Sequence, residues 1–248
     1  MTTPVVLITG ALTGIGRATA LAFAKDGANI VVSGRHDDAG QALAAELRTF
    51  GGEAEFIKAD VRHDAEVESL VDQTVNRFGR LDVAVNNAGT EGRPGPVTEQ
   101  TADSYAATFD TNVLGVLLSL KHELRAMGAQ GKGSIVNISS TYGHRGGPGA
   151  SVYVASKHAV EGLTKVAALE GAAAGVRVNA VAPGPIETGM LNRFTGTEER
   201  KAAFAAGLPL QRIGEPQEIA DAVVFVSSDK ASFITGHILH VDGGITAG

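Results

Sequence analysis

Cysteine is absent from the 248 residues, which excludes disulfides, thiolate catalysis and cysteine-held zinc and fits a reducing compartment. Long apolar runs are missing too: none approaches the ~20 residues of a membrane span, so no membrane partner is expected. The start, Met1-Thr2-Thr3-Pro4, has neither the positive charge nor the apolar stretch of a signal peptide, and the expected location is the cytoplasm. Basic side chains are in the minority, 21 against 27 acidic, for a formal charge of −6. Without a basic stripe, nucleic acid is not an expected partner.

What is present suits a soluble globular chain: 44% hydrophobic and 19% charged residues, enough apolar material to bury a large core. No repeat, linker or change of composition divides the chain, so one domain over residues 1–248 is expected. Short apolar, β-branched runs recur at 5–9, 29–33, 53–58, 81–86, 134–138, 176–182 and 238–241. Helix-length segments lie between them, roughly 14–26, 37–50, 64–78, 101–127, 151–174 and 215–227. That alternation predicts parallel strands joined by crossover helices, and runs such as Val5-Val6-Leu7-Ile8 suit strands buried on both faces. The expected fold is α/β, a doubly wound, mostly parallel seven-stranded sheet. The stretch 184–212, rich in Gly, Pro, Thr and charge, reads as a mobile insertion covering a site.

Directly after the first run comes Thr9-Gly10-Ala11-Leu12-Thr13-Gly14-Ile15-Gly16, and a small-residue helix start follows. Glycines let the backbone approach a pyrophosphate, while a helix N-terminus aims free N–H groups at the anion. Gly10, Thr13, Gly14, Ile15 and Gly16 are therefore candidate cofactor-binding residues. The second run ends in Ser33-Gly34-Arg35-His36, where a carboxylate would be expected for a free ribose 2′-hydroxyl. Arg35 in that place suits a 2′-phosphate. NADP(H) is preferred and NAD(H) remains open, since Asp37 and Asp38 dilute the positive charge.

Tyr153 and Lys157 stand one helical turn apart. A phenol titrates near ~10, so proton transfer near neutrality needs a drop of roughly 3, about 4 kcal/mol. One cation at about 4 Å is worth roughly that much at an effective dielectric of ~20, which makes Lys157 the expected activator. His237 and His240 are no metal pair, because an odd separation on a strand puts the rings on opposite faces; no metal is expected.

Taken together, Gly10-x3-Gly14-x-Gly16, Asn86-Asn87-Ala88-Gly89, Asn112, Ser140, Tyr153-x3-Lys157 and Pro183-Gly184, in this order, resemble the short-chain dehydrogenase/reductase family over nearly the entire chain. The resemblance implies a Rossmann fold and hydride transfer between a nicotinamide cofactor and a carbonyl or secondary alcohol. It casts Tyr153 as proton carrier, Ser140 as polariser of the reacting oxygen with Ser139 the competing choice, and Asn112 as holder of a relay water. It gives Lys157 a second role at the nicotinamide ribose. It places Asp60 and Val61 at the adenine, Asn87, Ala88 and Gly89 along the cofactor, and Pro183, Gly184, Ile186 and Thr188 over the carboxamide and phosphates. Asn86 would stabilise the sheet. It also implies a homotetramer built through the helices at 101–127 and 151–174.

Candidate substrate contacts are Glu91 and Arg93, then Tyr142, His144 and Arg145, then Met190 and Phe194 in the insertion. The mixture suits a polar or functionalised carbonyl at least as well as a sterol. An NAD-linked sugar or polyol dehydrogenase is the rival enzyme. A nucleotide-sensing protein is the non-catalytic rival, although it would tend to lose the four proton-relay side chains present here. Too little chain remains for the separate substrate domain of an epimerase.

Overall fold

A computed structural model describes residues 3–247; the signal-peptide reading thus rests partly on Met1 and Thr2, outside the described residues. Seven parallel strands form one sheet in the order β3-β2-β1-β4-β5-β6-β7. They are β1 Val5–Thr9, β2 Asn29–Gly34, β3 Ala54–Lys58, β4 Val83–Asn86, β5 Gly133–Ile138, β6 Val176–Pro183 and β7 Ile238–Val241. β1 pairs with β2 from Val5 opposite Asn29, and with β4 from Val6 opposite Val83. All five residues of β1 and all four of β4 are buried, which is why their sequences run apolar without alternation.

Alternate residues of β1 feed two cores. Val6 and Ile8 pack with Phe23, Ile30, Ile219 and Val223 on one face, under α1 (Gly14–Lys25) and α9 (Pro216–Ser227). Leu7 packs with Leu70, Leu120, Ile135 and Val160 on the other, under α3 (Asp64–Phe78), α5 (Gly115–Gln130) and α6 (Ser151–Gly171). Each such side chain contributes roughly 1.5–3 kcal/mol by leaving water. The remaining long helix, α2 (Asp37–Arg48), lies beside β3. α9 begins as its residues suggest, with Pro216 at the first helical position and a reciprocal cap between Glu215 and Glu218.

Two expected segments differ. The helix at 101–127 is α4 (Ala102–Phe109), a π-helical turn Asp110–Leu114, then α5, because Asn112 is drawn to backbone groups outside the helix. The stretch 184–212 is not a loop throughout: it carries α7 (Gly189–Thr195) and α8 (Glu198–Ala206). Thr188 caps the first by accepting from the Leu191 N–H at 3.3 Å, and Thr197 caps the second by accepting from the Arg200 N–H at 3.2 Å. Edge-on packing of Phe194 and Phe204, 6.4 Å between ring centres, joins the two helices.

Candidate active site

β1 and β4 are neighbours, yet the chain leaves them toward opposite edges of the sheet, which opens a crevice at their carboxyl ends. There the Thr9 hydroxyl accepts from the backbone N–H of Asn87 (3.2 Å) and Ala88 (3.3 Å). Asn87 in turn donates through Nδ2 to the carbonyls of Thr9 (3.2 Å) and Gly10 (2.8 Å). A Cβ on Gly10 would sit 2.7 Å from Ala88 Cα, and one on Gly16 would sit 2.4 Å from Asn87 Nδ2. Only glycine lets the two strand ends approach this closely. α1 starts at Gly14 with no acidic residue in its first turn and no hydrogen bond from the Thr13 side chain, so its first N–H groups are free for an anion. The residues present fit a dinucleotide pyrophosphate.

At the far side of the crevice Arg35 is exposed. Arg62 holds the Asp60 carboxyl down at about 2, and Arg35 adds to the same effect. Asp37 is paired with Lys58 at 2.5 Å, which leaves Arg35 less diluted than the acidic neighbours suggest. Val61 is buried against Gly115, whose Cβ would come within 2.7 Å of Val61 Cγ2.

A cleft of about 970 Å³, open to solvent, brings Tyr153, Lys157 and Ser140 together with Ile15, Asn87, Gly89, Pro183, Gly184, Ile186 and Thr188. Ser140 lies just beyond β5, where its hydroxyl accepts from the Tyr142 N–H at 3.2 Å and favours the ionised form of the nearby Tyr153 phenol. The Ser139 hydroxyl, which also borders the cleft, donates instead to buried Glu161 at 3.0 Å. Asn112 does not line the cleft. It donates to the Thr90 carbonyl (2.9 Å) and the Ser156 hydroxyl (3.0 Å), and accepts from the Thr90 N–H (2.8 Å). Ser156 passes the link on by donating to the Tyr153 carbonyl at 2.7 Å.

The acidity of the phenol departs from expectation. Burial pushes Tyr153 up to about 12, with the nearby Glu91 charge adding and the Ser140 hydrogen bond opposing. Burial pushes Lys157 down to about 8, and its ammonium donates to the Ile138 carbonyl at 2.8 Å. Desolvation disfavours both charged forms at once, so the pair alone does not make the phenol a strong acid.

Comparison with known proteins decides the family. The family model described as Enoyl-(Acyl carrier protein) reductase matches residues 10–246. The chain is 41% identical over 244 residues to the 2,5-dichloro-2,5-cyclohexadiene-1,4-diol dehydrogenase of Sphingobium indicum, covering 98% of this chain and 96% of the relative. It belongs to the short-chain dehydrogenase/reductase family. Among solved structures of this family, ElxO with NADP bound superposes with a TM-score of 0.93 at 35% identity, covering both chains completely (100% each). An NAD+-bound xylitol dehydrogenase superposes with a TM-score of 0.93 at 35% identity, covering 97% of this chain and 98% of that one. The protein is accordingly an oxidoreductase that uses a nicotinamide cofactor on CH–OH or C=O groups.

Within this short-chain dehydrogenase/reductase, Glu91, Tyr142, Arg145, Met190 and Phe194 line the same cleft as Tyr153. Arg93 and His144 do not. Arg93 is exposed, and the exposed His144 leans on His240 with 5.3 Å between ring centres. Sequence reasoning missed Thr90, Leu191, Phe204 and Ile245, which also line the cleft. Phe204 left a signal, the one large apolar residue in a helix of charged residues and alanines. Ile245 left none, because the tail reaches the cleft only through the fold. No described helix is long and apolar enough to cross a membrane.

Proposed function

We propose that this protein interconverts a secondary alcohol and a ketone on an alicyclic ring, with NADP(H) preferred and Tyr153 as the proton carrier. One observation carries the reading: the Tyr153 phenol and the Ser140 hydroxyl meet in the cleft, beside the glycine turn and the Asn87–Gly89 segment. The bound nicotinamide supplies or accepts the hydride. Ser140 donates to the reacting oxygen and polarises it, while the phenol gives that oxygen its proton in reduction and takes it back in oxidation. A phenol that stays protonated well above neutrality is prepared to donate. For oxidation it draws on the charge of Lys157, and Asn112 and Ser156 hold the first turn of α6 in register by their bonds to Thr90 and Tyr153.

The ring preference is supported by Ile138, Leu191, Phe194, Phe204 and Ile245 in the walls, which suit a hydrocarbon ring. The ring diol that the Sphingobium relative is named for points the same way. The NADP(H) preference rests on Arg35 standing where an acid would select a free 2′-hydroxyl. A homotetramer through α5 and α6 is supported by exposed Leu117, Val166 and Leu169 on those helices. The cytoplasm suits a chain without cysteine. The 184–212 segment, with α7 and α8, is the part proposed to move over the cleft.

The test is a panel of cyclic ketones and alcohols with each cofactor, following absorbance of the reduced nicotinamide, for wild type and Tyr153→Phe. The variant should bind cofactor normally and lose at least about a hundredfold in kcat. Unchanged kcat refutes the assignment.

A further inference from the structure

Tyr153, Lys157, Glu161 and Thr164 share one face of α6, and each of the last three holds a residue at the end of β5. Lys157 donates to the Ile138 carbonyl at 2.8 Å, Glu161 accepts from the Ser139 hydroxyl at 3.0 Å, and Thr164 accepts from Asn137 Nδ2 at 2.9 Å. The helix that carries the phenol thus grips the strand end that leads into Ser140.

Lys157 already has a place in the chemistry, and Asn137 and Thr164 lie deep in the sheet. Glu161 fits neither description. Its carboxyl group is buried, 5% exposed, and lies outside the cleft, where an apolar side chain of the same size would pack at less cost. What it gains is contact with residues on both sides of Ser140. Ser139, directly before, donates to it. Gly143, in the short turn Thr141–Gly143, donates its N–H to the Ser140 carbonyl at 2.8 Å, and a Cβ there would sit 2.6 Å from Ser139 Oγ and closer still to Glu161 Oε1. A shift of Ser140 relative to α6 therefore has to displace one of these contacts.

We infer that Glu161 is a positioning residue for the reaction: through Ser139 and Gly143 it fixes the Ser140 hydroxyl against Tyr153, so that both reach one substrate oxygen together. It touches neither substrate nor cofactor. Reacting geometry tolerates little error, and a displacement of about 1 Å costs on the order of a hundredfold in rate. The effect falls on kcat and leaves cofactor binding, which the turn after β1 supplies. The inference rests on the reading of Ser140 as polariser of the reacting oxygen.

The test compares wild type, Glu161→Gln and Glu161→Leu, each with and without Ser140→Ala, by kcat and KM for a cyclic ketone and by affinity for the reduced cofactor. Glu161→Leu keeps the bulk and removes the acceptor; kcat should fall at least about tenfold, with cofactor affinity within about twofold of wild type. Glu161→Gln keeps the acceptor and should stay within about threefold of wild-type kcat. Ser140→Ala should cost wild type about 10²–10³ in kcat. In the Glu161→Leu background its cost should be at least about threefold smaller, since a serine already out of place has less to lose. An unchanged kcat in Glu161→Leu, a Glu161→Gln as slow as Glu161→Leu, or costs that multiply in full each overturn the proposal. A merely structural role would shift the melting temperature and leave the two costs independent. If Glu161→Leu does not fold, Ser139→Ala breaks the same bond by loss of one atom, and the same cycle with Ser140→Ala decides. If Ser140→Ala alone keeps wild-type kcat, the reading of Ser140 falls and this inference with it; if it is impaired and the costs multiply, the role of Glu161 alone falls.

Discussion

The ammonium of Lys157 lies 2.8 Å from the carbonyl oxygen of Ile138 and 5.7 Å from the centre of the Tyr153 ring. The first contact ties α6 to the end of β5, directly before the two serines, so the lysine holds the frame as well as carrying a charge. Because burial already holds Tyr153 at about 12, any positive charge lost from its neighbourhood makes ionisation of the phenol harder still.

Lys157→Met should therefore lower kcat for alcohol oxidation by about 10²–10⁴ and displace the remaining activity to higher pH. It should also leave the Ile138 carbonyl without its donor, at a cost of about 1–3 kcal/mol in stability. Stopped-flow rates against pH, with thermal unfolding in parallel, check both outcomes.

Arg35→Asp should swing the enzyme toward NAD(H). A charge-assisted bond to a 2′-phosphate is worth about 1.5–3 kcal/mol, so the ratio of kcat/KM for the two cofactors should change at least about tenfold. If the ratio stays put, Arg35 is not the selector.

Gly16→Ala places a Cβ 2.4 Å from Asn87 Nδ2 and 2.5 Å from the Gly10 carbonyl oxygen. The Gly10 carbonyl belongs to the turn that would cradle a pyrophosphate and Asn87 Nδ2 is bonded to it, so neither can yield without disturbing that turn. Overpacking of this kind costs about 1–3 kcal/mol. A cofactor titration should show affinity at least about fivefold weaker, while circular dichroism shows the same helix content.

Glu123 is buried on α5 and accepts from Asn86 Nδ2 at 3.0 Å. Burial pushes its carboxyl up to about 7 against an ordinary 4.5. The native state therefore binds this proton more tightly than the unfolded chain does. The associated stability is fully present below about pH 4.5, falls as pH rises, and is gone above about pH 7, a difference on the order of 3 kcal/mol. Glu123→Gln keeps the acceptor, adds a donor near the unpartnered Asn86 Oδ1 and has no proton to lose. Its gain in melting temperature over wild type should be larger at pH 8 than at pH 5. An equal gain at both values would mean that Glu123 is ionised throughout.

Much of the fold was legible because its signals are local. The run Val5–Thr9 is β1 residue for residue, and Glu215-Pro216 opens α9, since burial on both faces demands continuous apolar residues and a helix start demands a cap. The π turn at Asn112 was not legible, because its cause is a bond to Thr90, 22 residues away. α7 and α8 were hidden for a related reason. They are 7 and 9 residues long, too short to show a period, and rely on their Thr caps and on the Phe194–Phe204 contact.

The chain's own order of residues determined the alternation of strands and helices, the glycine turn after β1 and the one-turn spacing of Tyr153 and Lys157, all of which depend on backbone geometry within a few residues. Tertiary structure alone decided what those groups experience. Which serine lies near the phenol, and that Glu91 and Arg193 meet at all, depend on elements brought together from across the sheet. The same is true of the sign of the shift at Tyr153: an ammonium four residues away favours ionisation, yet removal from water opposes it more strongly, and only the packed protein sets how much water is removed.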